Sequence, residues 1–303
     1  MELRLRPVPP YDFALSCAIF SGGDPLLRTF DNGNFRQVID LGGRLALATA
    51  TAHRSASRPL IAIDLRSDRP LGARDRERAR RLLAGLFNSE LRLRPFYDHV
   101  KKDPVMSRLG KRLFGLKPPR TPSVFEALVD TIVEQQISLK VAHLLEERLV
   151  RSFGGRLTLA DGDHYVYPVP RQLADAPTEG LRRCGLSSRK AEYIRGVSRE
   201  ISDGGLDLEG MARYGNEQII ERLTQVRGIG VWTAELTMVR GLGRLDAIPA
   251  DDLGVRRAIT TYYRKNRRVT EREARDIAEG WGDWKGLASF YLLTAERLGI
   301  AEK

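Results

Sequence analysis

Apolar and polar residues alternate over roughly the first 70 positions in the manner of strands with one buried face. Residues 2–6, 44–51 and 60–65 carry the alternation, and residues 13–19 add a short apolar run that reads as a further strand. Between 27–30 and 35–39 lies Asp31-Asn32-Gly33-Asn34, a tight-hairpin sequence because Asn and Gly tolerate positive φ. From Asp75 the period lengthens to that of helices. Leu82, Leu83, Leu86 and Phe87 fall at helical spacing after a densely charged stretch. Residues 93–120, rich in proline and bases, read as a connection into a second unit. Thr121-Pro122 then predicts a helix start, with Thr as cap and Pro at the first helical position, ahead of the stripe Phe125, Leu128, Val129, Ile132, Val133. Further helices are predicted from Ser138 to Gly154-Gly155, from Ser187 or Ser188 to Gly204-Gly205, and from Asn216. The capping box Thr270–Glu273 opens another, and Leu287, Phe290, Tyr291 and Leu298 mark the last. The predicted fold class is α+β: a small strand-rich α+β domain over 1–90, then an all-helical one over 91–303.

Composition narrows the classes. Hydrophobic residues make up 42% and charged residues 29% of 303, which suits a folded chain of about two domains. No stretch approaches the ~18 uncharged apolar residues of a membrane span, and the first residues lack a signal-peptide core. The expected location is cytoplasmic and nucleoid-associated, or nuclear in a eukaryote, and not secreted. Cys17 and Cys184 lie far apart, and with four scattered histidines they argue against a disulfide scaffold or a zinc site. His99, His143 and His164 read as structural or surface residues. Charge changes the picture most. Fifty Lys+Arg against 39 Asp+Glu leave a net +11, and most of the bases are arginine, whose planar fork suits phosphate. The implied partner is a polyanion.

One segment concentrates the chemistry. In residues 223–234 a helix rich in Ile and Leu meets Gly228-Ile229-Gly230, and a second helix follows at once. Glycines let a backbone approach a phosphate, and the N–H groups opening the second helix, around Val231 and Thr233, point at it with the helix dipole behind them. The carbonyls of Thr224, Val226 and Ile229, across the turn, can hold a monovalent cation that bridges to the same phosphate. The alternative is a helix corner that merely requires glycine. Further on, residues 246–255 form an apolar Gly/Pro loop with Asp251-Asp252, followed by Arg256 and Arg257. One carboxylate of the pair is expected to cap the helix. Adjacent carboxylates repel one another, so the pair invites a second role, stabilising a cation formed on nucleic acid.

Together, turn, spacing and Asp resemble the helix-hairpin-helix, Gly/Pro-rich loop and Asp signature of the base-excision DNA glycosylase (HhH-GPD) superfamily. Within it, the chain is most similar to the 3-methyladenine DNA glycosylase II (AlkA-like) branch. Ser123–Val129 with Glu134-Gln135-Gln136-Ile137-Ser138 resembles the first helix pair, and Leu181–Ser187 with Arg189–Ile194 a second family block. Tyr167–Pro170 and Trp281–Trp284 add to the likeness. The resemblance implies a TATA-binding-protein-like α/β domain followed by an all-α helix-hairpin-helix glycosylase domain. It also implies a monomer that acts on double-stranded DNA containing damaged bases, with no cofactor for catalysis beyond a structural Na+ or K+ at the hairpin.

Site roles follow from the same resemblance. The family's catalytic Asp precedes a branched apolar residue by three positions; Val255 therefore selects Asp252, with Asp251 as cap or neighbour. Asp252 would stabilise the oxocarbenium-like state left as an alkylated purine departs, once that base has been flipped from the stack. Base-pocket positions fall on Trp232, Leu236 and Leu293. Trp232 is either a pocket wall or a core residue. The other two are aromatic in the branch, so leucine leaves a pocket less selective for positive charge. Phe290, Tyr291 and Trp284 would supply aromatic surface instead, or be core. DNA contacts fall on Gly228, Gly230, Val231, Thr233 and Arg256, and on the turn Gln135-Gln136-Ile137, which either wedges a side chain into the vacated stack or simply joins two helices. Members that also cut the strand carry a Schiff-base lysine where this chain has Trp232, so simple hydrolysis is implied. Lys140 and Lys190 lie outside the hairpin and read as phosphate contacts or solvated groups. There is no Cys-rich C-terminal loop for an iron–sulfur cluster. Two competing readings are a bifunctional glycosylase/lyase for oxidised purines, opposed by Trp232, and a non-catalytic DNA-binding module, opposed by Asp252.

Overall fold

Five antiparallel strands build the N-terminal sheet: β1 (Glu2–Leu5), β2 (Arg28–Asp31), β3 (Asn34–Asp40), β4 (Leu45–His53) and β5 (Leu60–Arg66), in the order β1-β5-β4-β3-β2. The computed structural model describes residues 1–53, 55–264 and 267–301. The β2–β3 turn is Asn32-Gly33, at φ 49° and 78°, with Asp31 paired to Asn34, as the sequence predicts. Residues 13–19 differ from expectation. They form a helix, α1 (Phe13–Cys17), and a 3-10 turn over Ala18–Phe20. Asp12 caps α1 by accepting from the Leu15 N–H at 2.9 Å, and Phe13 meets Phe30 and Phe87 edge-on. The apolar run is thus used to fill a core, where periodicity over so few residues cannot distinguish helix from strand. Helix α2 (Ala73–Leu86) covers one face of the sheet, burying Ala79, Leu83 and Leu86 with Leu3, Phe35, Ile61 and Ile63.

Helices α3 (Arg94–Val100) and α4 (Pro104–Arg112) lead into α5 (Val124–Glu134) and α6 (Leu139–Phe153). The start of α5 is displaced from Thr121-Pro122. Ser123 is its cap, accepting from the Glu126 N–H at 3.1 Å, while the Thr121 hydroxyl donates to the Ser123 carbonyl at 2.8 Å. Residues 91–303 are also not wholly helical, for β6 (Gly155–Leu159) and β7 (Gly162–Val166) form a hairpin. Leu157 of β6 is buried against Val38 and Leu47 of the first sheet, so its apolar partner comes from a segment distant in sequence. Helices α7 (Pro170–Ala174), α8 (Thr178–Arg183), α9 (Ser188–Ser202), α10 (Asn216–Thr224), α11 (Val231–Thr237), α12 (Leu253–Arg264), α13 (Glu271–Ala278) and α14 (Lys285–Arg297) complete the chain. Among the described residues no helix is long and apolar enough to cross a membrane.

Two apolar cores form the helical part. One gathers Leu128 and Ile132 of α5, Leu145 of α6, Ile194 of α9 and Leu223 of α10. The other gathers Phe96, Leu109, Ile259, Trp281 and Tyr291. Val226, Ile229 and Ala234 of the Gly-x-Gly segment belong to the first, whereas Ile248, Ala250 and Val255 around Asp252 belong to the second. The site therefore lies where two apolar cores meet.

Lys117 ties the sheet to the helices. Its ammonium is fully buried and donates to the Val8 and Ser89 carbonyls at 2.9 and 3.0 Å, and it lies 5.3 Å from the Tyr11 ring centroid. Burial pulls its pKa down to about 8. The folded state therefore releases this proton before the unfolded chain does, and stability rises as pH rises from about 8 towards the ordinary lysine value. Urea unfolding of the wild type and Lys117→Met should show the wild type gaining stability relative to the variant over that window. A pH-independent difference would contradict it.

Candidate active site

The hairpin between α10 and α11 is shaped by one glycine more than the other. Gly228 has φ 94°, and a Cβ there would lie 2.2 Å from Cγ of Tyr193. No other residue fits. Gly230 has φ −95° and opens α11, and a Cβ on it would meet nothing; what it leaves is free space on the solvent side, beside the exposed Val231. Val226 and Ile229 are buried, and the Ile229 N–H donates to the Val226 carbonyl at 3.1 Å. Among the described residues no backbone donor outside the regular elements reaches the Thr224 or Ile229 carbonyl. That leaves two unbonded carbonyls and a spare lone pair on Val226, a donor set suited to a hard monovalent cation.

The turn between α5 and α6 is fastened to this hairpin. Gln135 Nε2 donates to the Gly228 carbonyl at 2.9 Å and to the Thr233 hydroxyl at 3.0 Å. Both side chains therefore face inward and fasten the turn to the hairpin from within; Thr233 is 2% exposed. Ile137 packs against the first helical core. Gln136, exposed and held at φ 57°, is the member of the trio that projects. Lys190 also departs from its expected role. Its ammonium donates to the Val133 and Gln135 carbonyls at 2.8 and 2.6 Å, closing the C-terminus of α5, and burial lowers its pKa.

Asp252 accepts three bonds. Oδ1 accepts from the Val255 N–H at 2.9 Å, its carbonyl accepts from the Arg256 N–H at 2.9 Å, and Oδ2 accepts from Trp232 Nε1 at 3.1 Å. Capping of α12 thus belongs to Asp252, not to Asp251. Asp251 is exposed and paired with Arg256 at 3.6 Å. The Arg256 side chain is 27% exposed, and its Nε is buried without a hydrogen-bond partner. Arg257 is likewise forked onto Glu296 at 2.7 and 2.9 Å.

Around the carboxylate, Leu293 of α14 comes close: a Cβ on Gly254 would lie 3.0 Å from Asp252 Oδ1 and 3.2 Å from Leu293 Cδ2. Leu236 is buried one turn beyond Trp232 on α11. Tyr291 is core, donating to the Leu116 carbonyl at 2.9 Å, and Trp284 and Phe290 pack against the same cluster. The supporting residue not foreseen from sequence is Glu235. It is 3% exposed, and its carboxyl is pushed up by burial while Arg275 holds it at 2.7 Å. Its second carboxyl oxygen is buried without a hydrogen-bond partner among the described residues. Its signal in the sequence is a lone acid three residues after Trp232 in an otherwise apolar turn. Because the indole N–H fixes Oδ2, Trp232→Phe should keep substrate binding and lower the rate of base release about tenfold; an unchanged single-turnover rate would contradict that.

Comparison with known proteins places this geometry. Over 262 residues, 86% of each chain, the protein is 29% identical to a Bacillus subtilis (strain 168) protein named DNA-3-methyladenine glycosylase. The fold matches the 3-methyladenine DNA-glycosylase from Archaeoglobus fulgidus with a TM-score of 0.86 and 31% identity over 98% of both chains. It also matches Schizosaccharomyces pombe 3-methyladenine DNA glycosylase (Mag1), solved in complex with abasic DNA, with a TM-score of 0.60 and 27% identity over 69% of this chain and 98% of that one. Residues 129–283 match the family model described as HhH-GPD superfamily base excision DNA repair protein. The chain belongs to the HhH-GPD superfamily of base excision DNA repair proteins.

Proposed function

We infer that the protein is a monofunctional DNA glycosylase that removes alkylated purines from duplex DNA. The observation that carries this reading is Asp252, held by the first turn of α12 on one oxygen and by Trp232 on the other, next to a Gly-x-Gly hairpin. The N–H groups opening α11, around Val231, bind a backbone phosphate at the space left by Gly230, with the helix dipole behind them. The Thr224, Val226 and Ile229 carbonyls would hold a Na+ or K+ that adds charge to that phosphate contact. Gln136, at the tip of the α5–α6 turn, enters the stack vacated by the flipped nucleotide. An alkylated purine already carries positive charge or is poor in electrons, so it departs with its bonding electrons and leaves the sugar cationic. The Asp252 carboxylate stabilises that cation and orients the attacking water. Both of its hydrogen bonds preorganise it, so little reorganisation accompanies the reaction. The names of the Bacillus and Archaeoglobus relatives support 3-methyladenine as substrate, and the leucines at 236 and 293 support a broader range of purines. One copy of the chain contains the whole site, which supports action as a monomer.

A lyase reading requires an amine at the sugar. Trp232 offers none, and the Lys190 ammonium is bound to helix carbonyls. A base-release assay on duplexes carrying alkylated, deaminated and oxidised purines tests the proposal. Release of the alkylated base without strand cleavage is expected, and a borohydride-trapped protein–DNA adduct would overturn it.

A further inference from the structure

Helix α2 aligns Arg78, Arg81 and Gly85 along one face, since residues three and four apart are neighbours on a helix. That face borders a cleft of about 510 Å³, closed on the other side by Arg120 and the first turn of α5. Two neighbouring cations have carboxylate partners: Arg44 pairs with Asp75 at 2.7 Å and Arg80 with Glu77 at 4.0 Å. Arg78, Arg81 and Arg120 form no ion pair among the described residues.

Arg120 is the most unusual of the three. Its guanidinium packs so closely on Gly243 that a Cβ there would come within 2.8 Å of Nε. Nη2 donates to the Gly241 carbonyl at 2.7 Å, while Nε is buried with no partner. Burial lowers its pKa, and the carboxylate that opposes this among the described residues is Glu209. Glu209 is itself engaged, accepting from the Val124 N–H at 3.0 Å, and Ser123 satisfies the Glu126 N–H. The start of α5 is therefore already capped. The Arg78 guanidinium lies against Gly42, where a Cβ would come within 2.3 Å of Nη1, so the surplus positive charge of the cleft rests on the side chains of Arg81 and Arg120 against one carboxylate.

We propose that the cleft between α2 and α5 is a second anion site, which takes a phosphate group. Guanidinium forks match phosphate oxygens in pairs, and a desolvated arginine without a counter-ion gains most from one. The site is distinct from the lesion site. Gln136 and the hairpin lie beyond the C-terminal end of α5, whereas the cleft lies at its N-terminal end, about 16 Å away along a helix of this length. The phosphate comes either from nucleic-acid backbone outside the lesion or from a free phosphate-bearing molecule.

Calorimetric titration of the full chain with inorganic pyrophosphate tests the site. Two variants probe it without touching the catalytic machinery. Arg81→Glu reverses an exposed charge, and Gly85→Glu sets a carboxylate where a new side chain meets nothing. Arg120→Gln is avoided as a sole test, because it also removes a bond to Gly241. Pyrophosphate binding should weaken at least about tenfold in both variants, with base release on a short duplex unchanged. Affinity for a long duplex, measured against salt, separates the sources: a shallower slope in the variants identifies nucleic-acid backbone, an unchanged slope a free phosphate. Wild type that does not bind pyrophosphate, or unaltered binding in either variant, overturns the proposal.

Discussion

Asp252→Asn should reduce base release by on the order of 10²–10³-fold or more while leaving the fold intact. Asparagine is as good a helix cap as aspartate, so the bond from the Val255 N–H survives and the loss reports charge rather than structure. Asp252→Ala should lose the same activity and about 1 kcal/mol of stability besides. Asp251→Asn is the control. Its carboxylate is exposed and makes one long ion pair, an arrangement of little energetic consequence, so release should stay near wild type. Single-turnover rates on an alkylated duplex, with binding to undamaged duplex measured in parallel, decide the matter. An Asp252→Asn protein that releases base at the wild-type rate would remove the carboxylate from the mechanism.

Gly228→Ala should be the most damaging single methyl in the site. The new Cβ would fall 2.2 Å from the Tyr193 ring, and the backbone there is left-handed. Overpacking and positive-φ strain together should destabilise the protein by on the order of 2–4 kcal/mol and disorder the phosphate-binding turn. Gly230→Ala makes the instructive contrast. It meets no atom of the protein, so stability should hardly change, while affinity for DNA falls because a methyl group now stands where the phosphate approaches. Urea unfolding and duplex titration of both variants separate the two roles. If Gly230→Ala bound DNA like the wild type, the hairpin would be a helix corner and nothing more.

Much of this fold and site is legible in the sequence. The Asn-Gly hairpin, the Ser138 and Ser187 caps, the Thr270 capping box and the Gly-x-Gly corner are local devices, encoded by residues within a few positions of each other. Local signals also misled where they were short. Residues 13–19 became a helix because the aromatic core received Phe13, and residues 155–166 became strands because Leu157 found Val38 and Leu47. Thr121-Pro122 carries a helix-start pattern, yet the hydroxyl that reaches the free N–H groups belongs to Ser123.

By itself, then, the sequence determined the strand-rich start ahead of a mainly helical remainder, the attraction to a polyanion and the pairing of a glycine turn with an acidic loop. Which groups remain available was decided only by the tertiary structure. Asp252 rather than Asp251 caps α12 and meets Trp232, Gln136 rather than Gln135 projects, and Lys190, Arg256 and Arg257 are engaged by carbonyls or carboxylates. The reason is physical. Periodicity and capping depend on neighbours along the chain. The freedom of a charged side chain depends on neighbours across space, and Glu296, which neutralises Arg257, comes from a different helix.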